Sequence, residues 1–105
     1  VIKRIWRGWT TPGNAGSYER LLEEEVFPGI EEKGIPGYRG IELLRRNGRD
    51  EVEFITIMSF DSMEAVRAFV GEDHDRAYVP DRARAILERF DERSRHYEER
   101  HTVRL

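Results

Sequence analysis

The chain has 105 residues, 38% hydrophobic, 37% charged and 10% aromatic, the length of one domain. Two Trp, four Tyr and five Phe supply a core that a disordered chain of this charge content would lack. The 18 basic and 21 acidic residues are interspersed, and Cys is absent. The mixed charge gives broad electrostatic binding to nucleic acid little support, and the absence of Cys excludes disulfides, thiolate metal sites and a Cys nucleophile.

Residues 1–10 read as a strand, because Ile2, Ile5, Trp6 and Trp9 are β-formers and Thr11-Pro12-Gly13 ends the run. Apolar residues occur on both parities, so cover is expected on each side. Thr11 before Pro12 predicts a helix N-terminus. Tyr18, Leu21, Leu22, Val26 and Ile30 follow at helical spacing, with Pro28 expected to kink the last turns and Gly34 to stop them. Residues 38–46 form the next predicted strand, and Asn47-Gly48 marks a hairpin.

Residues 51–60 are the third predicted strand and the most apolar segment, with Val52, Phe54, Met58 and Phe60 on one parity and Ile55 and Ile57 on the other. Even this segment is too short for a membrane span or a signal-peptide core. No membrane partner is expected, and the expected location is the cytoplasm. Asp61-Ser62-Met63-Glu64 reads as a capping box with Asp61 as the cap. Ala65, Val66, Phe69 and Val70 then make the buried stripe of a short helix closed by Gly71. After Pro80, the spacing of Ala83, Ile86, Leu87 and Phe90 predicts a further amphipathic helix. Residues 94–103 read as a final, mostly polar strand carrying His96, Tyr97 and His101.

This order is β-α-β-β-α-β with an extra helix before the last strand. It predicts a single α+β domain over residues 1–105, with two helices on one face of a four-stranded antiparallel sheet in the ferredoxin-like arrangement. The uncovered sheet face is expected to carry Trp6 and the Val52/Phe54/Met58/Phe60 row. That is too apolar for water, so a homodimer packed through those faces is expected.

Ile5-Trp6-Arg7-Gly8-Trp9-Thr10, Asn14-Ala15 before Tyr18-Glu19-Arg20-Leu21-Leu22, Ile35-Pro36-Gly37-Tyr38, Phe54-Ile55-Thr56-Ile57 and residues 60–69 occur in that order. Together they resemble the antibiotic biosynthesis monooxygenase family over nearly the whole chain. The resemblance implies a dimeric α+β barrel with a small-molecule pocket between sheet and helices. It also implies either cofactor-free oxygenation of phenolic molecules or haem degradation. The haem-degrading pattern of Asn, Trp and His is replaced here by Trp6, Phe69 and Val79, which removes the axial ligand. The phenol-oxidising pattern of Asn, Trp and Tyr reads Thr56, Phe60 and Val66, keeping aromatic character at Phe60.

Candidate substrate-binding residues are Trp6, Thr56, Met58 and Phe60, in a pocket expected between the sheet and the helix after residue 61. Strand parity groups the last three, and the resemblance puts Trp6 beside them; Trp6 and Phe60 would hold a flat ring by stacking. The competing reading, which the usual packing of buried aromatics favours, is plain core or dimer interface. Arg4 shares the parity of Trp6 and would neutralise a phenolate or carboxylate, or else pair with a Glu across the sheet. His74, between Asp73 and Asp75, is the candidate general base; the competing reading is an exposed loop histidine. His96 and His101 have opposite parity and make no simple ligand pair. No metal, flavin, nicotinamide or haem cofactor is expected. The functions in view are a cofactor-independent oxygenase or isomerase acting on a small phenolic or quinone-like molecule, a non-catalytic small-molecule binder, and a dimerisation domain.

Overall fold

In the computed structural model, which describes residues 1–105, strand β1 (Ile2–Thr10) is the centre of the sheet. It pairs antiparallel with β3 (Val52–Phe60) over its whole length, from Ile2 opposite Phe60 to Thr10 opposite Val52. The other neighbour of β3 is β2 (Tyr38–Asn47), joined to it by the Asn47-Gly48 hairpin, where the Gly48 amide donates to the Glu51 carbonyl at 3.0 Å. The far side of β1 is covered in two pieces. β4 (Arg89–Phe90) pairs with Gly8 and Trp9, and β5 (Arg95–Glu98) pairs with residues Ile2 to Ile5. The sheet is thus five-stranded and antiparallel, not four-stranded. The last edge of the expected ferredoxin-like order is broken around Ser94, whose amide donates to Asp75 instead of continuing a ladder.

The first helical segment is compound. A 3₁₀ turn (Pro12–Asn14) leads into α1 (Ala15–Leu21), then a π-helical turn (Leu22–Val26), then α2 (Phe27–Glu32). The Phe27 amide donates to the Leu22 carbonyl, five residues back. Pro28 lacks a backbone N–H, and the wider π turn ahead of it lets the helix run on past the proline. Thr11 makes no side-chain cap. Helix α3 (Met63–Val70) is capped by Ser62, whose hydroxyl accepts from the Ala65 amide at 3.3 Å. Asp61, the expected cap, instead takes the Arg39 guanidinium. Helix α4 is only Asp81–Ile86; Leu87 is already extended, and Phe90 lies on β4.

Alternate residues of β1 and β3 are buried: Arg4, Trp6, Gly8 and Thr10 on one strand, Val52, Phe54, Thr56, Met58 and Phe60 on the other. They face the helices. Val52, Phe54 and Trp6 pack with Ala15, Tyr18 and Leu22, while Met58 and Phe60 pack with Ile30, Val66 and Phe69. This corrects the face assignment made from the sequence: the Val52/Phe54/Met58/Phe60 row is the core, and each fully buried Phe contributes about 1.5–3 kcal/mol. The opposite face carries Ile5, Ile55, Ile57 and Trp9, with Leu44 exposed at its margin.

Candidate functional site

The two core clusters meet beneath the first helical segment, and they do not close completely. Val26 and Phe27, which follow from the π turn, lean on both. At this seam is a narrow recess of about 40 Å³ that opens to solvent, smaller than the usual small-molecule site, so a bound ring has to spread its lining. The floor is Arg4, Trp6, Thr56 and Met58 from the sheet, and the roof is Tyr18, Leu22, Val26, Phe27 and Ile30. Tyr78, Val79, Pro80 and Ala83 close the side.

Four residues expected at a pocket, Arg4, Trp6, Thr56 and Met58, therefore line this one. Phe60 does not. It is fully buried two residues further along β3, with its ring 5.5 Å from Tyr38 and 5.9 Å from Phe69. The cavity lies under α1, the π turn and α2, not under α3, because the α3 side of the sheet is filled by those aromatic rings.

Trp6 is held flat by two neighbours. Its indole N–H donates to the Asp91 carbonyl at 2.8 Å, and its six-membered ring lies over Gly8. Phe90 tilts against it at 6.3 Å.

Arg4 is the buried cation of the site. Its Nη1 donates to the His74 carbonyl at 2.6 Å and to His96 Nε2 at 2.9 Å, and its Nη2 donates to the Arg76 carbonyl at 2.6 Å. Guanidinium nitrogens only donate, so His96 Nε2 accepts and the imidazole proton is on Nδ1. That nitrogen is 3.1 Å from Asp75 Oδ1 and donates to it. No Glu pairs with Arg4; the carboxylate whose charge acts on it is Asp75. Burial lowers the Arg4 pKa to about 10, against the opposing pull of Asp75, and the group stays charged at neutral pH. Burial, then the Arg4 charge, pushes the His96 pKa below its usual value, outweighing the Asp75 contact. Burial also raises the Tyr18 phenol, so it remains protonated.

His74, the expected base, does not line the recess. Its carbonyl holds Arg4, while its ring stands 5.7 Å from the His96 ring with Nε2 3.6 Å from Asp75. His74, Asp75 and His96 do not converge as a metal-ligand set. His101 lies beyond β5 on an exposed end. Sequence reasoning underrated His96, Asp75 and Ser94. Arg4 and His96 stand directly opposite one another on β1 and β5, a pairing visible only once the register of the broken last edge is known.

No family model matches this sequence, and no curated protein matches it. Solved structures do match. A Bacillus cereus protein assigned as an antibiotic biosynthesis monooxygenase aligns over 99% of this chain and 97% of its own, at 18% identity and a TM-score of 0.66. The monooxygenase ActVA-Orf6 of Streptomyces coelicolor, solved with nanaomycin D, aligns over 99% of this chain and 91% of its own, at 15% identity and a TM-score of 0.69. SnoaB, a cofactor-independent oxygenase from Streptomyces nogalater, aligns over 97% of this chain and 95% of its own, at 18% identity and a TM-score of 0.63. The fold of this chain is that of the antibiotic biosynthesis monooxygenases.

Proposed function

We propose that this protein is a cofactor-independent oxygenase of the antibiotic biosynthesis monooxygenase type, acting on a small phenolic or quinone-like molecule. The observation that carries this reading is an apolar recess floored by Trp6 and Met58 with one buried cation, Arg4, beside them. A flat ring stacks on the indole, and Arg4 favours the ionised hydroxyl. A phenolate so held is electron-rich enough to reduce oxygen itself. The enclosing side chains exclude water from the reaction. The fold shared with SnoaB and ActVA-Orf6 supports the same reading.

The test is oxygen uptake by purified, chelator-treated protein supplied with a dihydroxynaphthalene, with quinone formation followed by absorbance. Uptake matched by quinone, and lost in Arg4→Met, is the expected result. Tight binding of the naphthol without uptake would establish the second reading, a non-catalytic carrier of small aromatic molecules. That alternative is favoured by one specific observation: no Asp, Glu or His lines the recess to take a proton.

The protein works, in this proposal, as a two-fold homodimer joined through the open sheet face. Ile5 opposite Ile57, and Leu44 opposite Ile55, form an apolar centre. Lys3, Arg7, Glu53 and Arg46 share that face as a charged surround. No helix of the chain is long and apolar enough to cross a membrane.

A further inference from the structure

Arg4 has five N–H bonds, and the protein uses three. The two on Nη1 go to the His74 carbonyl and His96, and one on Nη2 goes to the Arg76 carbonyl. The Nε–H and the second Nη2–H have no protein partner, although the residue is only 2% exposed and its side chain lines the recess. Both N–H bonds are therefore free to meet an acceptor that enters the recess. Nε and Nη2 lie on one edge of the guanidinium, and their two parallel N–H bonds match the two oxygens of a carboxylate.

We propose that the recess selects a planar aromatic molecule bearing a carboxylate, received side-on by the Nε/Nη2 edge of Arg4, and that Asp75 and His96 are the positioning residues that hold this edge towards it. The proposal rests on the reading of the recess as a small-aromatic site and puts a carboxylate of the ligand, in place of its ionised hydroxyl, at Arg4.

The positioning works through charge and tautomer. Asp75 Oδ1 accepts from His96 Nδ1, which leaves the Nε2 lone pair for Arg4. The carbonyls of His74 and Arg76 anchor Nη1 and Nη2, which leaves Nε–H and one Nη2–H without a protein partner. The groups around His96 are Arg4 on β1 and Asp75 and His74 in the segment before α4. Around Arg4 are His96, the two backbone carbonyls and the Phe69 ring, 5.9 Å from the guanidinium carbon. Protonation of His96 would remove the acceptor for Nη1 and set a second cation beside the first. Arg4 would keep the two carbonyls but lose the contact that sets its angle, and carboxylate selection would fall with it.

The experiment is calorimetric binding of 2-naphthoate and its neutral isostere 2-naphthamide, with the His96 imidazole followed by NMR across the pH range. At about pH 7.5 the wild-type protein binds naphthoate about tenfold or more tighter than naphthamide, the worth of a lost charged hydrogen bond. That preference falls in step with His96 protonation. His96→Leu brings the two ligands to within about twofold of each other while leaving naphthamide affinity in place. His96→Gln keeps an acceptor for Arg4 and a donor for Asp75; it restores the preference and removes its pH step. Equal binding of the two ligands by the wild-type protein overturns the carboxylate proposal and leaves the small-aromatic reading standing. Failure of both ligands to bind overturns the two together. A preference that survives in folded His96→Leu, or that keeps its pH step in His96→Gln, overturns the positioning role.

Discussion

The indole of Trp6 occupies the space that a side chain on Gly8 would need: a Cβ there would stand 2.5 Å from Trp6 Cη2 and 3.1 Å from Leu87 Cδ2. Residues i and i+2 of a strand share a face, and the missing side chain at Gly8 lets a ring as large as indole lie down along the sheet. The floor of the recess is therefore made by a pair, one residue supplying the ring and the other the room for it. Gly8→Ala should lift the indole, weaken its bond to the Asp91 carbonyl and cost about 1–3 kcal/mol, the usual penalty of overpacking. Urea unfolding gives the stability, and near-UV circular dichroism reports the moved Trp.

Phe60 belongs to packing. It is fully buried against Tyr38 and Phe69 and outside the recess. Phe60→Leu should cost about 1–2 kcal/mol, a fraction of the 3–5 kcal/mol of a truncation to Ala, with affinity for a naphthol changed less than twofold. Titration of the folded variant checks it; a large loss of affinity with intact stability would return Phe60 to the site.

Arg4 also fastens the chain between α3 and α4 to the sheet through the His74 and Arg76 carbonyls. Arg4→Met removes those donors and leaves both carbonyls and His96 unpaired, at a cost of about 2–4 kcal/mol. The Ala77 amide, bonded to the Glu92 carbonyl, and the Ser94 amide, bonded to Asp75, should lose hydrogen-exchange protection before the β1–β3 ladder does.

Stability should depend on pH through His96. Its folded pKa lies below the usual 6.5, so the unfolded chain takes up the proton first. Stability is then unaffected well above that value and falls as pH drops from about 6.5 to the folded pKa. Below the folded pKa this contribution levels off. In thermal melts across this window, His96→Gln should be less pH-sensitive than the wild-type protein; identical profiles would show that His96 carries none of the dependence.

The open sheet face makes the assembly testable. Ile57 stands opposite Ile5 at its apolar centre, away from the helices and the recess. Ile57→Lys should turn a dimer into a folded monomer in sedimentation at micromolar concentration, because a stable interface of roughly 800 Å² per partner cannot bury an unpaired ammonium at its middle. A wild-type protein that already sediments as a monomer would refute the sheet-face dimer.

Local pattern was sufficient for most of the elements, because strand alternation, helical spacing and turn chemistry are properties of neighbouring residues. Residues 1–10, 38–46 and 51–60 read as strands, and the Asn47-Gly48 turn read as a hairpin, within a residue or so of where they lie. Grouping Thr56 and Met58 on one face needed only parity. Which face the helices cover was different: parity separates Phe54 from Ile55 but does not say which of them meets Tyr18, and only the packed structure decides it. Capping by Ser62 instead of Asp61 turned on a long-range competitor, the Arg39 guanidinium on β2. The site was legible as far as Arg4 and Trp6, whose strand neighbours are local. Its second half came from far along the chain, His96 being 92 residues from Arg4. Their meeting depends on a broken edge strand whose register no local pattern encodes, and so the charge at the site was visible in the sequence while the direction in which it points was settled by tertiary packing.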